Sequence, residues 1–258
     1  MSPAAIALLL FSALPAQAQS QTPSTPSQTA IDVRAMMARG IQAYDAGNNS
    51  VAFDIFNHAV LFGDLNAMMY LGVMYGTARG VDRDYAMALD WFNRAAAGGN
   101  SQAMCNIGLL YYQGLGAVKD YRVAMSWFLK AASAGNTEAM FNLGVLNRDG
   151  LGVDINYADA MKWFHKAADG GDVPATNAMG VFYQQGLGVS LDYAQAMSWY
   201  RRAADAGYDT AMFNIGVLWE GGLGVEQNQD QAINWYRKAA GAGNERAKAA
   251  LKSLGVKN

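Results

Sequence analysis

Two histidines and one cysteine are the side chains in this 258-residue chain best suited to metal or nucleophilic chemistry. His58 and His165 stand too far apart to share a metal ion on successive turns of a helix, and neither has a paired-histidine motif around it. Cys105 has no histidine placed to take its proton, so it is expected to fill a small core slot rather than attack a substrate. No phosphate-binding glycine loop is present, and carboxylates could pair only if the fold brings them together. The amides offer different chemistry. Asn106, Asn142 and Asn214 recur at like places in the chain. A side-chain amide donates and accepts at once, so a row of them can either clamp an extended peptide or join neighbouring segments of the same fold. Which of these applies depends on the elements that carry them.

Those elements repeat. Trp91, Trp127, Trp163, Trp199 and Trp235 are each 36 residues apart, and "MKWFHKAADGG" at 161–171 returns as "MSWYRRAADAG" at 197–207. Self-similarity at this period signals a stacked array. Full repeats begin at Tyr85, Tyr121, Tyr157 and Tyr193, a divergent one covers 49–84, and a truncated one covers 229–258. Number each repeat from 1 to 36. Positions 1, 4, 5, 7, 8, 11 and 12 are apolar or small and fall on one helical arc of about 160° at 100° per residue. Position 36 is Asp or Asn, an N-cap (Asp120, Asn156, Asp192, Asn228), and position 10 is Arg or Lys near the negative end of the helix dipole. A glycine at position 15 allows a left-handed stop.

A second helix follows, capped at position 16 by Asn100, Asn136, Asp172 or Asn244. Gly108, Gly144, Gly180 and Gly216 at position 24 cost helix propensity of about 0.8–1 kcal/mol each relative to Ala, which implies that a neighbouring helix occupies the place of a Cβ. The repeat is thus a helix–turn–helix, and the fold class is all-α: an α/α superhelical solenoid with a 36-residue period. Stacking covers the apolar faces, so replacing Trp127 by Ala is expected to cost roughly 3–5 kcal/mol. Residues 31–48 read as one further helix, and Lys248 and Lys252 give the last helix a polar outer face.

Positions that vary between repeats are open to a partner. On the second helix these include Tyr112, Arg148, Gln184 and Glu220 at position 28, which are either specificity residues or solvated surface. Asp149 and Gln185 follow at position 29, with Arg148 and Asp149 introducing charge into an otherwise uncharged stripe. Phe141 and Phe213 either anchor a partner's apolar side chain or pack between helices.

The flanks set the cellular context. Residues 4–14 form a short apolar run followed by Ala16-Gln17-Ala18, the pattern of a secretory signal peptide over 1–18, although no Lys or Arg precedes the run. Residues 19–30 are polar and rich in Pro, Ser and Thr, as in a linker, and the solenoid is expected over 31–258. A periplasmic or secreted location follows from this expectation. Net charge is −2, with 52% hydrophobic and 16% charged residues, which argues for an ample core and against a nucleic-acid partner. No run of 18 apolar residues suggests a membrane span in the mature chain.

The recurring pattern, as in "LGVLNRDGLGVDINYADAMKWFHKAADGGDVPAT" at 143–176, resembles the Sel1-like repeats, a subclass of the tetratricopeptide-like helical solenoids, over about 49–250. The stretch "GIQAYDAGNNSVAFDIFNHA" at 40–59 is more similar to a plain tetratricopeptide unit. The resemblance implies a protein-interaction scaffold whose second helices line a concave groove. The residues themselves offer no catalytic set and no cofactor is expected. The expected partner is a protein or peptide, such as a segment of another envelope protein. The alternative is a cell-wall-directed hydrolase or glycan-binding protein. The cysteine-rich secreted branch of the family pairs cysteines within each repeat; a chain with one cysteine does not inherit that property.

Overall fold

The computed structural model describes residues 27–256, and the expected signal peptide lies outside them. The described residues form thirteen helices and no strand. They run α1 (Gln28–Asp45), α2 (Asn49–Val60), α3 (Leu65–Thr77), α4 (Tyr85–Ala97), α5 (Ser101–Gln113), α6 (Tyr121–Ser133), α7 (Thr137–Asp149), α8 (Tyr157–Asp169), α9 (Val173–Gln185), α10 (Tyr193–Asp205), α11 (Asp209–Gly221), α12 (Gln229–Gly241) and α13 (Glu245–Ser253). Helix α1 starts at Gln28, three residues before the expected position 31, because Ser27 Oγ accepts from the Ala30 amide at 3.3 Å. The fold is an all-α solenoid of helix pairs.

Caps at both helices of the repeat account for these boundaries. Asp84, Asp120, Asn156, Asp192 and Asn228 adopt extended backbone, and their side chains accept from amides of the first turn. Asn100, Asp172 and Asn244 do the same for second helices. Pro174 sits in the first turn of α9, where its missing N–H removes no helical bond. Between the two helices, Gly99, Gly135, Gly171, Gly207 and Gly243 take φ values from 84° to 102°, a region closed to most side chains.

The chain divides between Asn136 and Thr137 into two compact units. In the N-terminal unit, α1 packs on α2, α3 on α4, and α5 on α6. Its core gathers Ala52, Phe56, Tyr70, Leu71, Met74, Phe92 and Ile107. In the C-terminal unit, α7 packs on α8, α9 on α10, and α11 on α12, with α13 closing on α12. Phe164, Phe182, Tyr200 and Tyr236 are its largest enclosed aromatic rings.

One contact recurs within both units: the ring at position 8 lies where position 24 of the preceding repeat would carry a Cβ. A Cβ on Gly72 would stand 2.5 Å from Phe92, and one on Gly108 2.6 Å from Phe128. In the C-terminal unit the same holds for Gly144 against Phe164 at 2.6 Å, Gly180 against Tyr200 at 2.5 Å, and Gly216 against Tyr236 at 2.5 Å. Gly40 meets Phe56 in the same way at 2.7 Å. Real Cβ atoms do not approach so closely, so the helical glycine is a socket and the aromatic ring its plug.

The tryptophans play a different part from the one expected. Trp127 is half-buried, whereas its neighbour Phe128 is fully enclosed. The exposed side of each tryptophan carries the basic residue three positions on. Lys130 Nζ lies 4.1 Å from the Trp127 ring centre, Lys166 Nζ 4.7 Å from Trp163, and Lys238 Nζ 4.1 Å from Trp235. Arg94 and Arg202 sit over Trp91 and Trp199 at 4.7 and 5.3 Å. Position 10 thus serves a cation–π contact on its own helix as well as the helix dipole.

Candidate functional site

The second helices carry the candidate stripe, and each unit places its own members. In the N-terminal unit, α5 holds Asn106 fully buried, with Gln102 Nε2 3.5 Å from its Oδ1 and its own Nδ2 without a hydrogen-bond acceptor. Tyr112, at the end of α5, is half-buried and meets the Tyr121 ring edge-on at 5.2 Å. Cys105 is buried on the same helix. His58 lies in the last turn of α2, its ring 5.7 Å from that of Phe62.

In the C-terminal unit, most of the stripe is turned to neighbouring repeats. Asn142 on α7 is buried. Asn214 on α11 donates from Nδ2 to Asn177 Oδ1 on α9 at 3.0 Å, a bond between repeats. Phe141 leans on Phe164 at 5.5 Å, and Phe213 on Tyr236 at 5.4 Å, with the Arg246 guanidinium 4.4 Å from the Phe213 ring. Both phenylalanines therefore brace a plug ring.

Position 28 has an unexpected logic. The Tyr200 hydroxyl donates to Gln184 Oε1, and the Tyr236 hydroxyl donates to Glu220 Oε2. Burial pushes both phenols above their usual range, and the Glu220 carboxylate adds to the effect on Tyr236. Both therefore stay protonated and keep donating. Where the next plug is Phe164, which has no hydroxyl, position 28 is Arg148, and its guanidinium forks onto the carboxylate of Asp149 with both bonds at 2.7 Å. Arg148 keeps about a third of its side chain in solvent, and Asp149 and Gln185 are exposed. Arg148, Asp149 and Gln185 combine polarity with accessible surface, whereas the partly exposed Gln184 and Glu220 give a side-chain oxygen to Tyr200 and Tyr236.

Other chemistry is dispersed. His165 Nδ1 lies 2.9 Å from Asp169 Oδ2 on the outer face of α8, with both side chains more than half exposed. Among the described residues, no group of three or more His, Cys, Asp and Glu comes together as a metal site would need. No helix of the described residues is long and apolar enough to cross a membrane. Two carboxyls lie within electrostatic reach of each other: the charge of Glu138 on α7 adds to burial in raising the carboxyl of Asp172, the cap of α9.

The Sel1 repeat model matches residues 65–100, 101–136, 137–172, 173–208 and 209–244, cutting each period at its second helix rather than its first. No protein of curated function matches the chain. Among solved structures, a Sel1 repeat protein from Oxalobacter formigenes is 30% identical, with a TM-score of 0.77 over 85% of this chain and 87% of that one. A protective antigen present in uropathogenic Escherichia coli strains is 32% identical, with a TM-score of 0.72 over 86% of this chain. The match spans 48% of that antigen, so this chain covers about half its length. An immunity protein from Pseudomonas aeruginosa, 20% identical with a TM-score of 0.56 over 86% of this chain and 85% of its own, shares the fold. Five consecutive matches over the greater part of its length make this chain a member of the Sel1 repeat family.

Proposed function

We propose that this chain is an exported protein-interaction scaffold that holds a segment of another envelope protein against its second helices. Five consecutive Sel1 repeats carry the reading, since proteins of this family generally serve as scaffolds for protein–protein contacts. The contact set in the C-terminal unit is Arg148, Asp149 and Gln185, whose polar groups reach solvent while their helices are fixed from below by the aromatic plugs. Tyr112 is the corresponding contact in the N-terminal unit. Asn106 and Asn142 are buried on the helices that carry Tyr112 and Arg148, out of a partner's reach. Export rests on the apolar run at 4–14 and the small-residue pattern at 16–18.

The test is crosslinking in the native cell followed by recovery of the tagged chain from envelope extract, repeated with Arg148→Glu and Gln185→Arg. The partner recovered with the wild type should fall at least severalfold with each variant while the melting temperature holds. Unchanged recovery with both removes the stripe from consideration. Turnover of purified peptidoglycan without any protein partner would contradict the scaffold reading. A mature N-terminus at Gln19 supports export, and an unprocessed chain in the soluble cytoplasmic fraction contradicts it.

A further inference from the structure

Position 16 does more than cap its own helix. In the N-terminal unit, Asn100 Nδ2 donates to Asn66 Oδ1 at 3.0 Å, and Asn136 Nδ2 donates to Gln102 Oε1 at 3.0 Å. In the C-terminal unit, Asn244 Nδ2 donates to Asp209 Oδ2 at 3.1 Å. Each bond joins one repeat to the next, and in each an amide supplies the hydrogen. At the junction of α7 and α9 the corresponding residues are Glu138 and Asp172, both carboxyls. Asp172 still caps α9, accepting from the Ala175 amide at 2.7 Å. Glu138 is 7% exposed, and its charge acts on Asp172. Two carboxylates have no hydrogen between them, whereas a carboxylic acid beside a carboxylate has one.

We infer that Glu138 and Asp172 take up one proton between them in mildly acidic solution, and that this proton makes the repeat-to-repeat bond that asparagine makes at three other junctions. The joint between these repeats therefore tightens as pH falls. The inference is independent of what the scaffold binds.

The surroundings agree. Burial is the main force on Asp172 and, with the nearby Glu138 charge, raises its carboxyl to about 6 against the opposing pull of the Ala175 amide. Tyr208 faces Asp172 from the cap of α11, and its own hydroxyl is held neutral by burial and by Asp209. The Asp209 carboxylate is engaged by Thr210 and by Asn244. From α10, Arg202 is bound to the Ala168 carbonyl at the end of α8 at 2.8 Å. From α8 the chain reaches Asp172 through the uncharged Gly170 and Gly171. The sign follows from linkage. A carboxyl raised from 3.8 to about 6 binds its proton more tightly in the folded chain, so its contribution is complete below about 4 and lost as pH rises through about 6.

The test measures the unfolding midpoint of the full chain between pH 4.5 and 8 for wild type, Asp172→Asn, Glu138→Gln and Asp154→Asn. Asparagine is the native residue at this place in three other junctions, so Asp172→Asn keeps the cap. Relative to Asp172→Asn, the folding equilibrium of the wild type should weaken roughly 30-fold across this range, the part of a shift from 3.8 to about 6 that lies above pH 4.5. Glu138→Gln should flatten the profile likewise, and the exposed Asp154→Asn should follow the wild type. Superimposable profiles for wild type and Asp172→Asn overturn the inference. A second readout is the carbon-13 carboxyl titration of Asp172 in the intact chain. A midpoint near 6 that drops in Glu138→Gln supports the shared proton, and a wild-type midpoint in the ordinary carboxylate range overturns it.

Discussion

Phe128 and Trp127 are adjacent in the chain, yet they do different work. The phenylalanine is enclosed and rests where Gly108 has no Cβ, while the tryptophan keeps one face under Lys130. Phe128→Ala should therefore cost about 3–5 kcal/mol, and Trp127→Ala only about 1–2 kcal/mol from partial burial and a cation–π contact. Urea denaturation of the two variants checks the order, and a larger loss for Trp127→Ala would reverse the assignment of plug and cover. The invariant 36-residue spacing of the tryptophans marks them in the sequence as packing residues. The choice between positions 7 and 8 was not legible, because both fall on the same apolar arc, and which of them points into the neighbouring helix depends on how the helices cross. Position 10 was readable as helix-dipole chemistry, and its three-residue spacing from tryptophan also held the cation–π ladder.

At the scale of helix against helix, position 28 shows a relation that two aligned repeats contain but one repeat conceals. Tyr112 and Arg148 precede repeats whose plug is Phe128 or Phe164, and Gln184 and Glu220 precede repeats whose plug is Tyr200 or Tyr236. An acceptor thus stands wherever the plug has a hydroxyl. Removing the acceptor alone leaves the phenol of an enclosed side chain unbonded, so Glu220→Ala should cost about 1–3 kcal/mol. Tyr236→Phe made together with Glu220→Ala should recover most of that loss. The double-mutant cycle measures the coupling, and additive effects would show that the bond contributes nothing. Helix boundaries, caps and the crowded glycine were legible because each rests on local chemistry with a fixed spacing. The sequence does not separate partner from neighbour for Asn214, Phe141 and Phe213, because one residue type serves both and the choice is made by the helix across the junction. Ala78 was not legible as a stop: it adopts φ 58° where later repeats use glycine, and Arg79 beside it donates to the Tyr44 carbonyl at 2.7 Å.

For the whole molecule, the repeat contacts divide the surface into side chains that hold neighbours and side chains left for other company. Sel1 membership follows from the first set, and the proposed partner stripe from the second. The first set rests on the socket at position 24, where helix propensity and packing demand opposite residues. Gly180 and Gly241 are both helical glycines of the C-terminal unit. A Cβ on Gly180 would meet the Tyr200 ring at 2.5 Å, whereas one on Gly241 would meet nothing within 4 Å. The most direct measurement is the unfolding free energy of Gly180→Ala beside that of Gly241→Ala, by urea denaturation under one set of conditions. The plug-and-socket account predicts opposite signs: Gly180→Ala loses about 1–3 kcal/mol through overpacking, and Gly241→Ala is neutral or gains up to about 1 kcal/mol from helix propensity and a stiffer unfolded chain. A Gly180→Ala protein as stable as the wild type, or more so, would contradict it.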